Sequence, residues 1–231
     1  MKIATWNVNS VRTRLPHLLQ FLSEDKPGIV LLQELKCVEE QFPRMEVEDL
    51  GYNIAIHGQK TYNGVAILSK FPISDITRGL PTFPEDENAR YIEAVISVDS
   101  RQWTDDKSLS TVHRPPSTIL RVASVYVPNG NEVGSDKFTY KLQFLGRLHA
   151  HLKSLLAYEE ATVIGGDYNI APTDADVANP KAWENSVLTH DAVRAAWRKI
   201  VYLGYYDAFS PASQSPIPNP YTWWDYRAGA F

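Results

Sequence analysis

The stretch that decides the fold is residues 3–34, which read IATWNVNSVRTRLPHLLQFLSEDKPGIVLLQE. An apolar segment at 3–6 has strand length, and residues 29–33 form a second, almost wholly apolar segment of the same length. Between them, leucines recur at helical spacing: Leu15, Leu18, Leu19 and Leu22. Ser10 is a suitable N-cap for this helix, and Pro27 and Gly28 end it. The order strand, helix, strand predicts two paired strands in an α/β core.

The rest of the chain continues the alternation of strands and helices. Apolar patterning predicts strands at 52–56, 64–69, 91–98, 119–127 and 162–166, and helices at 42–50, 142–156 and 193–201. The polar stretch 99–118 is predicted to be an exposed hairpin excursion, a tolerated surface insertion. There is no internal repeat and no convincing linker. We therefore expect one α/β domain over residues 1–231.

Composition excludes several classes of protein. No apolar run is long enough to span a membrane, and the N-terminus reads into a strand rather than a secretory signal. Cys37 is the only cysteine, so a disulfide within the chain is impossible and a cytoplasmic location is expected. The net charge of −4 argues against a protein that coats DNA without sequence preference, because such proteins are usually basic.

Polar side chains follow four of the predicted strands at the point where each strand ends. Asn7 follows the first strand and Glu34 the second, while Tyr126 and Asp167 stand at the ends of two later strands. Asn169 comes two residues after Asp167. In open α/β sheets, ligands bind outside the strand ends, so these side chains are expected to converge on one site.

Each of these residues has a simpler explanation when it is taken alone. Asn7 can cap a turn, Tyr126 can be a core aromatic, and Gly165-Gly166-Asp167 can be a plain turn. Glu34 is harder to explain, because a carboxylate that leaves a core strand must be solvated, paired or metal-bound. Taken together, carboxylate and amide oxygens favour a site for Mg²⁺ or Mn²⁺ rather than for zinc.

Six segments carry a specific resemblance to a known family. They are TWNVNS at 5–10, LQELK at 32–36, NGVAIL at 63–68, YVPNG at 126–130, GGDYNIAP at 165–172 and YTWWDYR at 221–227. In this order they resemble the motifs of the exonuclease III family of abasic-site DNA repair nucleases. The resemblance implies a four-layer α-β-β-α sandwich of two mixed sheets. It also implies metal-dependent hydrolysis of DNA phosphodiesters, as an abasic-site endonuclease and 3′-5′ exonuclease.

The resemblance also implies a role for each candidate residue. Glu34 would be a principal ligand of Mg²⁺, or of Mn²⁺, with Asn7 beside it. Asp167 would orient or deprotonate the attacking water, and Asn169 would hold the metal, the phosphate or Asp167 in place. Tyr126 would stabilise charge that develops on the scissile phosphate.

Two further residues and the partner follow from the same resemblance. Arg90 would contact phosphate, and Trp223 would help form the pocket that receives an abasic sugar. Because both Trp223 and Trp224 lie in the aromatic segment, at least one of them is expected to be core. The expected partner is double-stranded DNA with abasic sites or 3′ ends, bound by a monomer away from any membrane.

The family pattern breaks after the aromatic segment. Family members continue with an Arg-x-Asp segment and an Asp-His pair, and none of the six histidines here stands in an Asp-His context. We therefore expect that the final strands and the last catalytic motif are absent from these 231 residues. A truncated chain is the favoured explanation, ahead of a different tail, a completing partner chain or a non-catalytic relative.

Two rival functions stay open at the level of sequence. One is a phosphatase of the same superfamily that acts on phospholipids or inositol phosphates, against which the 221–227 segment argues. The other is a non-catalytic module that binds abasic DNA without turnover.

Overall fold

The structure is a computed structural model, and it describes residues 1–98, 118–177 and 179–208. Contacts within the chain divide it into two compact units. Of the described residues, the first unit holds 1–98, 118–127 and 155–168, and the second holds 128–154, 169–177 and 179–208. The predicted excursion at 99–118, except for its last residue Thr118, and the aromatic segment at 221–227 lie outside the described residues. The hypothesis of a single domain over 1–231 stays a prediction.

The described chain contains eight strands and four α-helices. The strands are Ile3–Asn7 (β1), Ile29–Gln33 (β2), Asn53–His57 (β3), Val65–Ser69 (β4), Ile73–Arg78 (β5), Tyr91–Val98 (β6), Thr118–Tyr126 (β7) and Ala161–Asp167 (β8). The helices are Val11–Glu24 (α1), Arg44–Glu48 (α2), Asp136–Leu155 (α3) and Asp191–Val201 (α4). Short 3₁₀ turns lie at Glu39–Gln41, Leu156–Tyr158, Asp174–Asp176 and Pro180–Trp183.

The opening strand–helix–strand unit forms as predicted. β1 and β2 are parallel neighbours, with Thr5 opposite Leu31, and α1 connects them. The side chain of Ser10 caps α1 by accepting a hydrogen bond from the backbone N–H of Thr13. β5 was not predicted: its register shifts between Ser74 and Thr77, and most of its residues are exposed or half-buried. Apolar alternation is therefore lost in this strand.

The first unit contains two mixed sheets of four strands. One sheet has the order β1-β2-β4-β3 and the other β5-β6-β7-β8. In each sheet one outer pair is parallel, β1 with β2 and β7 with β8, and the other pairs are antiparallel. The prediction of an α/β fold with two mixed sheets is confirmed.

The position of β2 between two cores explains why its sequence is apolar without alternation. Ile29 and Leu31 belong to the core between the two sheets, together with residues of β4, β6 and β7. Val30 and Leu32 belong to a second core on the other face, with residues of α1 and α2. Full burial of one such side chain stabilises the fold by about 1.5–3 kcal/mol. A strand buried on both faces has no position for a polar residue until it ends.

The second unit is built around α3 and α4. Phe138, Leu145, Leu148 and Leu152 of α3 are buried, as are Val193 and Ile200 of α4. Arg194 of α4 donates to the carbonyl of Ala171 at 2.9 Å and to Asp174 at 2.8 Å, which ties the helix to the preceding loop. None of the described helices has both the length and the apolar character needed to cross a membrane.

We expect Gly166→Ala to destabilise the first unit severely. A Cβ atom at this position would lie 1.9 Å from the carbonyl oxygen of Val125 on the neighbouring strand, so β7 and β8 would have to separate. The expected loss in the free energy of unfolding is ~3 kcal/mol or more, measured by urea denaturation.

Gly146→Ala is the matched control for this substitution. Gly146 lies in α3, and a Cβ atom there meets nothing within 4 Å. Since alanine is the better helix former, this variant should gain roughly 0.5–1 kcal/mol. Equal stability of the two variants would contradict the close approach of β7 to Gly166.

Candidate active site

The centre of the candidate site is the side-chain amide of Asn7 at the end of β1. Its Nδ2 donates to Oε1 of Glu34 at 2.8 Å and to Oδ2 of Asp167, also at 2.8 Å. Its Oδ1 accepts a hydrogen bond from the backbone N–H of Asn9 at 3.0 Å, which sets the orientation of the amide. One amide thus holds together two carboxylates that are 133 positions apart in the chain, residues 34 and 167.

The tertiary arrangement brings the four predicted strand ends together in pairs. Asn7 stands opposite Gln33 at the end of the β1–β2 pair, and Glu34 follows directly. Tyr126 stands opposite Asp167 at the end of the β7–β8 pair. The hydrogen bond from Asn7 to Asp167 joins the two sheets at this edge. Parallel pairing explains the geometry, because both strands of a parallel pair end at the same edge.

Glu34 sits on strained backbone. Its φ is 55°, in the left-handed region that non-glycine residues rarely adopt, and Lys36 is similar with a φ of 54°. The segment is held from both sides, since Ser10 N–H donates to the Glu34 carbonyl at 2.8 Å and Leu35 N–H to the Gly64 carbonyl at 3.1 Å. Such strain is characteristic of functional sites, where the surrounding structure over-determines the conformation.

The carboxylate of Glu34 has three hydrogen-bond donors. Burial alone would raise its pKa, but hydrogen bonds from Asn7, Lys36 and Tyr126 and the charge of Lys36 bring the pKa below its ordinary value. Nζ of Lys36 lies 2.8 Å from Oε2 of Glu34 and also donates to Oδ1 of Asn9. Glu34 is therefore ionised at neutral pH and retains the negative charge that a cation site needs.

We expect Lys36→Met to raise the pKa of Glu34, because it removes a hydrogen bond and a positive charge. A carboxylate whose pKa is lowered on folding stabilises the fold above its unfolded pKa, and this contribution is lost as the pH falls through the folded pKa. In the variant, acid destabilisation should therefore begin at a higher pH. Urea denaturation in EDTA across the acid range measures it. Lys60→Met, at an exposed position, should leave the profile unchanged.

Tyr126 keeps its proton in this environment. Burial, the nearby charge of Glu34 and the hydrogen bond to Glu34 raise the pKa of its hydroxyl well above its ordinary value, although Arg90 acts in the opposite direction. The guanidinium of Arg90 lies over the Tyr126 ring, 4.8 Å from its centroid. Nη1 of Arg90 also donates to the Tyr126 carbonyl at 3.3 Å. The site thus contains a protonated hydroxyl and a fixed positive charge next to two carboxylates.

A buried glutamine lies directly behind Glu34 and links the two sheets. Nε2 of Gln33, which is 1% exposed, approaches Oγ of Ser124 at 3.0 Å and Oγ1 of Thr5 at 3.1 Å. Oγ of Ser124 in turn donates to the carbonyl of Leu32 at 2.9 Å. This network spans β1, β2 and β7 below the site. The LQELK motif contains Gln33, but sequence reasoning assigned it no role.

Two of the predicted site residues, Asn169 and Trp223, remain to be described. Asn169 belongs to the second unit, where its Oδ1 accepts a hydrogen bond from Nδ2 of Asn129 at 3.2 Å. Trp223 lies outside the described residues. Sequence reasoning also missed Lys36, although it stands two positions after Glu34 in a motif, where a lysine near a carboxylate is a recognisable signal.

The donor set suits a hard divalent cation. Glu34 and Asp167 supply carboxylate oxygens, and Mg²⁺ is usually bound by one or two carboxylates with water and phosphate oxygens completing its coordination. Within the described ranges, no group of three or more His, Cys, Asp or Glu side chains gathers. Carboxylate oxygens such as those of Glu34 and Asp167 are ligands of hard divalent cations, whereas zinc prefers nitrogen and sulfur ligands.

The fold and the site define a class: a two-sheet α/β protein with an acidic site of paired carboxylates at the strand ends. Residues 4–231 match the profile of the endonuclease/exonuclease/phosphatase family, and the chain belongs to this family. Exodeoxyribonuclease III of Haemophilus influenzae is 32% identical over 242 aligned residues, which cover 100% of this chain and 82% of that protein. The resemblance to exonuclease III is therefore confirmed.

Solved structures agree with this assignment. The 3′ phosphatase NExo from Neisseria, bound to a product DNA hairpin, is similar with a TM-score of 0.86 and 34% identity, over 100% of this chain and 80% of that one. An AP endonuclease from Archaeoglobus fulgidus is similar with a TM-score of 0.83 and 35% identity, over 99% of this chain and 80% of that one.

Proposed function

We propose that the chain is a divalent-metal-dependent DNA phosphodiesterase of base excision repair, which cleaves 5′ to abasic sites or removes nucleotides from 3′ ends. The observation that carries the proposal is the Asn7 amide, which donates to the carboxylates of both Glu34 and Asp167 at 2.8 Å. Phosphodiester hydrolysis needs one group that holds a cation at the phosphate and another that activates water. Two fixed carboxylates meet both needs.

We propose that four residues hold the ion: Glu34, Asn7, Asp167 and Asn169. Bound there, Mg²⁺ or Mn²⁺ would offset the negative charge that develops on the phosphate and leaving oxygens. Glu34 suits this role because its lowered pKa keeps the carboxylate ionised. Lys36 beside it prevents excess negative charge from accumulating before the ion binds.

The other groups act on the water and the phosphate. Asp167 accepts the proton of the attacking water, since its carboxylate is held in place by Asn7 at the end of β8. Tyr126 remains protonated and offers a preorganised donor to the developing charge. Arg90, fixed over the Tyr126 ring, contributes a positive charge for phosphate binding. We further propose that Trp223 lines the pocket for an abasic sugar, which has little stacking to give up.

The proposed partner is double-stranded DNA that carries abasic sites or 3′ ends. The relatives support this choice, because their names are exodeoxyribonuclease III and AP endonuclease, and NExo is described with a DNA hairpin product. We propose that the chain acts as a monomer in the cytoplasm. Sedimentation with and without DNA tests the stoichiometry.

A nicking assay tests the function. The protein is incubated with an end-labelled duplex that contains one abasic site, in Mg²⁺, in Mn²⁺ and in EDTA, beside an undamaged duplex with a recessed 3′ end. Metal-dependent nicking 5′ to the lesion, or shortening of the 3′ end, is expected. Release of phosphate from inositol phosphates without any DNA cleavage would overturn the proposal in favour of a phosphatase. Binding of the abasic duplex without turnover in either metal would overturn it in favour of a DNA-binding module.

A further inference from the structure

The second unit contains a lysine in an unusual position. Lys141 lies on the buried face of α3, among hydrophobic residues that include Phe138, Leu145, Leu148 and Leu152. Its side chain is fully buried, with 0% exposed. Lysine is among the residues least often buried completely, and an ammonium in the interior requires compensating acceptors.

The ammonium of Lys141 finds three backbone carbonyls. Nζ donates to the carbonyl of Asn169 at 2.6 Å, to that of Val187 at 2.7 Å and to that of Asn129 at 3.1 Å. A lysine ammonium has three N–H donors, so each can be directed at one of these oxygens. Hydrogen bonds to a charged group are stronger than those between neutral groups. Lys141 thus joins three loop segments that are distant in sequence.

Two of those segments carry asparagines that are bonded to each other. Nδ2 of Asn129 donates to Oδ1 of Asn169 at 3.2 Å, and Oδ1 of Asn129 accepts from the backbone N–H of Asn131 at 3.1 Å. Asn169 has a φ of 49°, a left-handed conformation that asparagine adopts more readily than other non-glycine residues. Lys141 supplies a constraint on the Asn169 backbone, and Asn129 supplies one on its side chain.

Packing around the alkyl stem of Lys141 is equally tight. Gly130 has a φ of 94°, and a Cβ atom there would lie 3.0 Å from Cδ of Lys141. The YVPNG motif therefore ends in a glycine where the lysine stem passes against the backbone. The glycine at position 130 thus leaves room for the side chain of Lys141.

We propose that Lys141 is a positioning residue for Asn169: it contacts neither substrate nor metal, and it fixes the backbone and thereby the side-chain direction of an asparagine that acts in catalysis. This inference rests on the proposed function, because the role of Asn169 does. The positively charged ammonium of Lys141 binds loop carbonyls and so holds the loops after β7 and β8 in one conformation.

A double-mutant cycle tests the proposal. Lys141→Met, which keeps a stem of similar volume, is combined with Asn169→Ala, and kcat and KM for the abasic duplex are measured well below each variant's melting temperature. Lys141→Met should lower kcat roughly tenfold to 100-fold in the wild-type background and far less when Asn169 is already alanine. KM should change little in both. Lys141→Arg, which keeps the charge, should retain more activity than Lys141→Met and covers the case in which Lys141→Met does not fold.

Two outcomes overturn the inference. One is a Lys141→Met effect of equal size in both backgrounds, which means that the lysine only stabilises the fold. The other is a folded Lys141→Met protein in which the side-chain amide NMR resonances of Asn129 and Asn169 are unmoved. The NMR measurement does not depend on activity, so it tests whether Lys141 positions the two asparagines even if the wild-type protein fails to nick DNA. Failure of the wild-type protein to nick DNA would count against the proposed function alone.

Discussion

Glu34→Gln is expected to abolish metal-dependent cleavage while the fold remains intact. The substitution removes the negative charge that we propose holds the cation, yet it retains an oxygen that can accept the hydrogen bond from Asn7. Loss of ion-assisted charge stabilisation, worth several kcal/mol, lowers the rate on the order of 10³-fold. Single-turnover nicking of the abasic duplex at a series of Mg²⁺ concentrations measures the effect.

The control for Glu34→Gln is Glu40→Gln, at an exposed position in the 3₁₀ turn that follows. This variant should cleave at the wild-type rate. High Mg²⁺ should restore part of the activity of Glu34→Gln, since the defect lies in holding the ion. Full activity of Glu34→Gln at low Mg²⁺ would show that the proposed metal site is wrong.

Asp167→Asn is expected to lower kcat by about 10²–10⁴-fold, the usual contribution of a positioned general base. The amide oxygen of the new asparagine can still accept from Nδ2 of Asn7, and the β7–β8 pairing does not depend on the side chain. The loss should therefore appear in kcat rather than in the melting temperature. Pre-steady-state nicking rates, together with a thermal melt, separate the two effects.

Asp49→Asn, at an exposed position after α2, is the matched control for Asp167→Asn and should behave like wild type. The two active-site variants differ in one useful respect. High Mg²⁺ should rescue Glu34→Gln in part but not Asp167→Asn, because a missing base is not replaced by more of the ion. Rescue of Asp167→Asn alone would reverse the two roles.

Much of the fold follows from local sequence signals. The apolar segment of β2, the leucine spacing of α1 and the Ser10 cap each predict an element that the structure contains. These signals are local because burial on two faces, helical periodicity and capping each depend on residues close in the chain. β5 was missed because its register shift and exposure remove that periodicity.

The site was predictable in outline for a different reason. A polar residue directly after a buried strand is conspicuous, so Asn7, Glu34, Tyr126 and Asp167 were singled out without coordinates. Their roles came from the resemblance, and the structure adds how they meet. Two contacts join residues that are far apart in sequence: the Asn7 amide between two carboxylates, and the Arg90 guanidinium over the Tyr126 ring.

Two buried polar residues mark the limit of sequence reasoning. Gln33 was predicted only as the last residue of a strand, and Lys141 was given no role. In the structure Gln33 bonds across the sheets to Ser124, and Lys141 donates to the carbonyls of Asn129, Asn169 and Val187. A lysine within an apolar stripe was the available signal.

By itself the sequence determined most of the strands and helices, the polar strand ends and the resemblance to a family, because periodicity and motif order are properties of neighbouring residues. Only the tertiary structure decided which buried polar atoms form hydrogen bonds with one another. A buried amide or ammonium must find its partners wherever the fold brings acceptors, and those acceptors come from segments that are distant in the chain. The sequence alone does not show that Asn7 bonds to the two carboxylates, or that the Lys141 ammonium bonds to three loop carbonyls, because these partners become neighbours only in the folded chain.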